Sequence, residues 1–108
     1  MKLDIPEDVE KELEQRGGIP NLIKILREYP AEEKTNIHKV LSDEIRLKIL
    51  LLLNQQSLCV CLLKEILDIA DSKLSYHLSI LKNEGFIDGG REANFVVYQI
   101  TDKGRRYL

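Results

Sequence analysis

Several features are scarce or missing in this sequence, and each gap narrows what the chain can be. Its apolar runs are short; residues 49–53 make one of five, far below the ~20 residues of a membrane span. Cysteine occurs only twice in 108 residues, too seldom for a disulfide framework. The start, Met1-Lys2-Leu3-Asp4, leads into acidic sequence and not into an apolar signal segment. Together these point to the cytoplasm, with no membrane partner. Enzyme signatures are missing too. There is no phosphate loop, no nucleophile beside a base and no metal box with an open position, so no catalytic activity is expected.

A strong excess of positive charge is also missing. The net charge is −2, with a pI of about 5.7, which does not advertise a nucleic-acid binder. Its distribution says more. Residues 1–44 carry 7 basic and 11 acidic groups, while residues 45–108 carry 9 and 7. An acidic first third and a mildly basic remainder fit a DNA-binding domain with an appended segment of another purpose. Ordinary scatter of charge would look the same.

What is present is an ordinary globular composition, 44% hydrophobic and 31% charged. The spacing predicts a helix over residues 6–16, started by Pro6 and ended by Gly17-Gly18, with only Val9 and Leu13 apolar. Ile19, Leu22, Ile23, Leu26 and Tyr29 then form a full amphipathic stripe between Pro20 and Pro30. A third helix is expected over residues 31–41. Ser42 reads as the N-cap of a fourth, apolar nearly all round, which should be the central buried helix. A short strand near Leu58, a helix over residues 61–69 and another over 72–84 follow. Two strands, 86–87 and 95–100, flank a turn region at residues 88–94 and close a hairpin. Thr101 and Asp102 can cap a last short helix. Two helices joined by a tight turn and followed by a hairpin predict a mainly α fold with a small β-hairpin: a winged helix-turn-helix over residues 42–108, with an N-terminal helical extension over residues 1–41.

On a helical wheel, Leu74, Leu78 and Leu81 face inward with His77 at their edge. Ser72, Ser75, Tyr76, Ser79 and Asn83 face outward. Short hydroxyls, an amide and a phenol suit a face that must lie close in a major groove, with Lys73 placed for the phosphate backbone. Any amphipathic helix has a polar face; the helix-turn-helix-hairpin order is what favours DNA. Arg91 and Asn94 near the hairpin tip are the candidate wing contacts.

The pair Cys59-Val60-Cys61 leaves three readings open: two small buried hydrophobes, a soft-ligand site for a thiophilic metal or metalloid ion, or a labile redox pair.

Residues 38–100 resemble the ArsR/SmtB family of winged-helix repressors. Val40-Leu41-Ser42-Asp43-Glu44-Ile45-Arg46-Leu47 is similar to the family's Asp-Pro-Thr-Arg-Leu opening, with Glu44 and Ile45 in place of its proline and threonine. Leu58-Cys59-Val60-Cys61 resembles its Glu-Leu-Cys-Val-Cys metal box, with Ser57 for the glutamate. Ser75-Tyr76-His77-Leu78 resembles the Ser-His-His-Leu of its recognition helix, and residues 81–87 its Leu-Arg-Glu-Ala-Gly-Leu-Val. The resemblance implies a homodimer that binds a double-stranded DNA operator and leaves it when an effector binds. It departs in two places. The family's third cysteine is Lys64 here, and the family's closing dimer helix with its zinc ligands is missing. Residues 1–41, led by the stripe at 19–29, are therefore expected to make the dimer. The alternative is a winged-helix protein-interaction module without DNA binding.

Overall fold

Prolines and glycines punctuate the N-terminal helices where their backbone demands it. In a computed structural model of the chain, which describes residues 4–108, Pro6 is the N-cap of α1 (Glu7–Gln15). Gly17 takes a φ of 99° before α2 (Gly18–Glu28), a conformation that glycine adopts without a Cβ penalty. Pro30 separates α2 from α3 (Ala31–Leu41). The first three positions of the expected extension lie outside the described residues.

The described residues form two compact units, one ending at Lys34 and one spanning Thr35–Leu108. In the first, α1 packs on α2, with Val9, Leu13 and Leu22 lining a small hollow between them. Neither helix buries a side chain. The whole predicted stripe of α2 stands exposed, with Leu26 at 76%.

The second unit holds the core. Helix α4 (Glu44–Gln55) is followed by β1 (Leu58–Cys59), α5 (Val60–Leu67), α6 (Asp71–Asn83), β2 (Ile87–Glu92), β3 (Phe95–Ile100) and α7 (Asp102–Arg106). Ile49, Leu50 and Leu53 of α4 meet Leu63 of α5, Leu74, Leu78 and Leu81 of α6, and Phe86, Ile87 and Ile100 near the sheet. Each such side chain, fully buried, contributes roughly 1.5–3 kcal/mol through area removed from water. Ile37 and Val40 of α3 also belong to this core. The expected burial of α4 all round holds on one face only, since Leu47 and Leu51 are exposed.

Three strands order as β1-β3-β2, all antiparallel. The hairpin differs from its expected shape. Residues 88–92 are strand, paired from Ile87↔Ile100 to Glu92↔Phe95, so the turn shrinks to Ala93 and Asn94. Gly89 was legible as a turn residue, but it lies opposite Tyr98. A Cβ there would come 2.5 Å from the Tyr98 ring. The glycine makes room for an aromatic neighbour and does not turn the chain.

Caps fall one residue from expectation in places. Asp43, not Ser42, caps α4 by accepting from the Arg46 N–H at 3.1 Å. Ser42 donates its hydroxyl to the Lys39 carbonyl. Thr101 caps α7 through the Gly104 N–H, as expected, and its hydroxyl also reaches the Gly85 carbonyl at 2.6 Å. Lys103 donates to the Glu84 carbonyl at 2.6 Å, closing the C-terminal end of α6.

Candidate nucleic-acid interface

Helix α6 divides by burial as its sequence pattern divides. Leu74, His77, Leu78 and Leu81 are buried. Ser72, Lys73, Ser75, Tyr76, Ser79 and Asn83 are exposed, Tyr76 at 61%. Neither Asp71 nor Ser72 caps the helix. Ala70 occupies the N-cap without a side-chain bond, and Asp71 meets Lys64 Nζ at 2.9 Å. The N–H groups of the first turn thus face outward without a side-chain acceptor, a natural seat for an anion.

Arg91 and Asn94 are exposed on the hairpin, Arg91 paired with Val96 across the ladder and Asn94 in the turn. A cleft of about 530 Å³ separates α6 from the hairpin. Ser75, Ser79 and Asn83 line one wall, Asn94 the other, and Cys59 and Cys61 also border it. The fold therefore gathers six of the sequence-chosen residues around one concavity. Ser72, Lys73, Tyr76 and Arg91 lie outside it. Arg91 borders a second depression on the wing, with Asp88 and Gln99.

Sequence reasoning passed over Lys82, Phe95 and Val96, which also line the cleft. Lys82 had a signal. It stands seven residues after Ser75, two helical turns along the same face. Phe95 and Val96 were assigned to a strand, and nothing in their pattern marked them as exposed apolar residues at a wing.

The cysteines are neither free nor buried together. Cys59 and Cys61 are joined as a disulfide, with Cα atoms 5.4 Å apart. Cys59 is half-buried and Cys61 exposed, which overturns the view of them as small buried hydrophobes. Cys59 ends β1, opposite Val97 of β3, and Cys61 lies in the first turn of α5. The pair thus bridges the joint between the wing's sheet and the helix-turn-helix. Among the described residues, no group of three or more His, Cys, Asp or Glu is gathered to hold a metal. Two sulfurs without a third ligand do not fit a trigonal or tetrahedral site built from one chain.

A second polar cluster, inconspicuous in the sequence pattern, lies under α6. His77 is 5% exposed. Its Nδ1 lies 3.0 Å from Arg46 Nη1. Arginine has no acceptor, so Nδ1 must accept. Asp43 Oδ1 stands 3.9 Å from the same nitrogen. Burial pushes the His77 pKa below its usual value; Asp43 opposes this, while the charges of Arg46 and Lys73 reinforce it. The imidazole is therefore neutral at pH 7, and its approach to Asp43 is not an ion pair. Burial disfavours the charged form of Asp43. The Arg46 and Ile45 N–H groups, the Arg46 charge and, in the acid range where Asp43 titrates, the charge of protonated His77 outweigh that, and its pKa is lowered.

Residues 43–88 match the family model described as "Bacterial regulatory protein, arsR family". The chain is 38% identical over 81 residues to the arsenical resistance operon repressor of Bacillus subtilis, covering 74% of this chain and 72% of that one. It is 36% identical over 78 residues to the cadmium resistance transcriptional regulatory protein CadC of Listeria innocua, covering 71% of this chain and 66% of that one. The chain thus spans just under two thirds of that cadmium regulator's length. Among solved structures, HlyU from Vibrio cholerae superposes with a TM-score of 0.67 at 29% identity, covering 74% of this chain and 87% of that one. No helix among the described residues is long and apolar enough to cross a membrane. With an arsR-family model over its helix-turn-helix and relatives of this identity, the chain belongs to the arsR family of winged-helix transcriptional regulators.

Proposed function

We propose that this chain works as a dimeric repressor, held on operator DNA by α6 and the wing and released by a signal received at Cys59 and Cys61. The observation that carries this is the shared cleft. The cysteine pair borders the same concavity as Ser75, Ser79, Asn83 and Asn94. Ser72, Ser75, Tyr76, Ser79 and Asn83 are assigned to base edges and nearby phosphates, Lys73, Arg91 and Asn94 to the backbone and minor groove. Residues 1–41, with the exposed stripe of α2, are assigned to the dimer.

The relatives' names mention cadmium and arsenical resistance, which favours a thiophilic signal. This chain departs in its ligand count. Its two sulfurs can be reduced to a dithiol or joined as found, and a dithiol–disulfide change fits them without a further ligand. Oxidation by a peroxide-class oxidant removes two electrons and two protons from the two thiols and forms the S–S bond. A thiophilic ion remains a second reading, as a two-coordinate or dimer-shared site, because the relatives are named for cadmium and arsenical resistance.

Binding of the promoter duplex that precedes this gene tests the DNA assignment. Affinity should fall steeply with salt as phosphate contacts release counterions. Tyr76→Ala combined with Arg91→Ala should abolish binding while the circular dichroism spectrum stays unchanged. A flat salt response, or undiminished binding by the double variant, defeats the assignment. Repeating the titration with reduced and oxidised protein, beside Cys59→Ser, tests the signal; equal affinity in both states removes the redox reading. Anaerobic metal stoichiometry decides the ion, since no bound ion in the parent or in Cys59→Ser removes the metal reading.

A further inference from the structure

Among the described residues, the Arg46 side chain ties the end of α3, the start of α4 and the middle of α6 together. Its Nε donates to the Val40 carbonyl at 2.6 Å, and Nη2 approaches the Lys39 carbonyl at 3.4 Å. Its backbone N–H goes to the Asp43 cap. Its remaining Nη1 reaches across to His77 Nδ1 at 3.0 Å. The carbonyls of Lys39 and Val40 belong to the last turn of α3, where acceptors lack an intrahelical donor; the Lys39 carbonyl also accepts from the Ser42 hydroxyl. His77 is the only buried polar side chain among the described residues, and it sits on the inner face of α6 between Leu74 and Leu81, directly behind Tyr76.

We propose that the Arg46–His77 hydrogen bond is a positioning link that seats α6 against the α3–α4 corner, and that acid releases it, so that operator affinity declines as His77 takes a proton. This rests on the proposed role of α6 in DNA binding.

The chemistry is directional. Because Arg46 only donates, the link requires a lone pair on Nδ1 and the ring proton on Nε2. Protonation at Nδ1 destroys the acceptor and sets a cation against a guanidinium. The groups that face His77 are Arg46 and Asp43 of the α4 start, Lys73 one turn earlier on α6, and the Tyr76 ring, edge-on at 5.2 Å. Asp43 attracts an imidazolium, but it stands at 3.9 Å and already accepts from the Arg46 backbone. The link is also selective. When it breaks, Arg46 keeps its bond to Val40, so the α3–α4 corner persists while α6 loses its tether. His77 is buried and is not itself assigned to DNA; it acts through the placement of Tyr76, whose ring it touches, and of the serines on the outer face.

His77→Asn tests this, because the amide oxygen can replace Nδ1 as acceptor and does not titrate. The binding of the labelled promoter duplex is measured from about pH 7.5 down through the acid titration of His77, which its ring nitrogen shifts follow. The wild type should lose about fivefold more affinity over that range than His77→Asn. His77→Leu should bind more weakly than either at the upper pH, with its thermal midpoint recorded to separate misfolding from misplacement. Superimposable pH profiles for the wild type and His77→Asn overturn the proposal. Nitrogen chemical shifts of the DNA-free protein give a second readout. The Nε2–H tautomer, with Ser75 and Tyr76 amides shifting as His77 titrates, supports the link; an Nδ1–H tautomer overturns it. If the wild type binds no promoter duplex at any pH, the DNA assignment fails, and the tautomer and the amide shifts still decide whether the link exists.

Discussion

Helices α2 and α6 carry similar apolar stripes and meet opposite fates. On α6, Leu74, Leu78 and Leu81 are buried within their own unit. On α2, Ile19, Leu22, Ile23, Leu26 and Tyr29 are all exposed. Periodicity says that a helix has a face to cover. It does not say what covers it. In the unit spanning Thr35–Leu108, neighbours from three helices and a sheet converge on α6. Among the described residues of the unit ending at Lys34, α2 has beside it one thin helix with two apolar residues. A contiguous exposed stripe of this kind usually marks an interaction surface, and the proposed dimer would place a second copy there.

The sharpest way to break this contrast is a charge in the exposed stripe of α2. Leu26→Glu should leave the folded monomer intact, because Leu26 is exposed, yet convert a dimer to monomer in the ultracentrifuge. Losing the second half-site should then weaken promoter binding by about a hundredfold, since avidity through linked sites is worth that much or more. A Leu26→Glu protein that still sediments as a dimer, or a dimer that survives removal of residues 1–30, moves the interface elsewhere.

Stability should show the reverse ranking. Leu74→Ala opens a cavity in a closed core and should cost about 2–5 kcal/mol in urea unfolding. Leu22→Ala, measured on the Leu26→Glu background to hold the protein monomeric, should cost well under half of that. Equal losses would mean that the N-terminal unit has a core of its own, and the contrast would collapse.

The same contrast explains how much could be read in advance. The helix order, the polar face of α6 and the buried Leu74–Leu78–Leu81 row follow from local rules: caps, breakers and a 3.6-residue period. The ArsR-like motifs fixed their register. Misreadings arose where a residue answers to a distant neighbour. Gly89 serves Tyr98 across the ladder, so a glycine pair that locally signals a turn is strand. Asp43 displaced Ser42 as the cap, although both residue types cap well. Arg46 stood out only as part of the Asp43–Leu47 motif. Its role depends on Val40 six residues earlier and His77 thirty-one later, and no periodicity joins them. The cysteine pair was visible at once, but its position on the edge of the cleft depended on the antiparallel pairing of Cys59 with Val97.

The smallest expected effect is in acid, and it locates the sensitive chemistry in the second unit. The folded pKa of His77 is below 6.5 and that of Asp43 below 3.8. For each group the unfolded chain holds its proton more tightly, so stability rises with pH across the interval between the two values. The His77 contribution is complete above pH 6.5 and is lost as pH falls through the lower folded value. Asp43 follows the same rule at lower pH, complete above 3.8 and lost below its own folded value. Urea midpoints measured from neutral to acid pH should therefore show two successive declines. His77→Asn should erase the upper one and leave the lower. Because both groups belong to the unit spanning Thr35–Leu108, a chain lacking residues 1–30 should keep both declines even after its dimer is gone. Loss of the upper decline in that truncated chain would mean that the N-terminal helices help hold His77 neutral, and the two units would then be coupled through the corner that Arg46 closes.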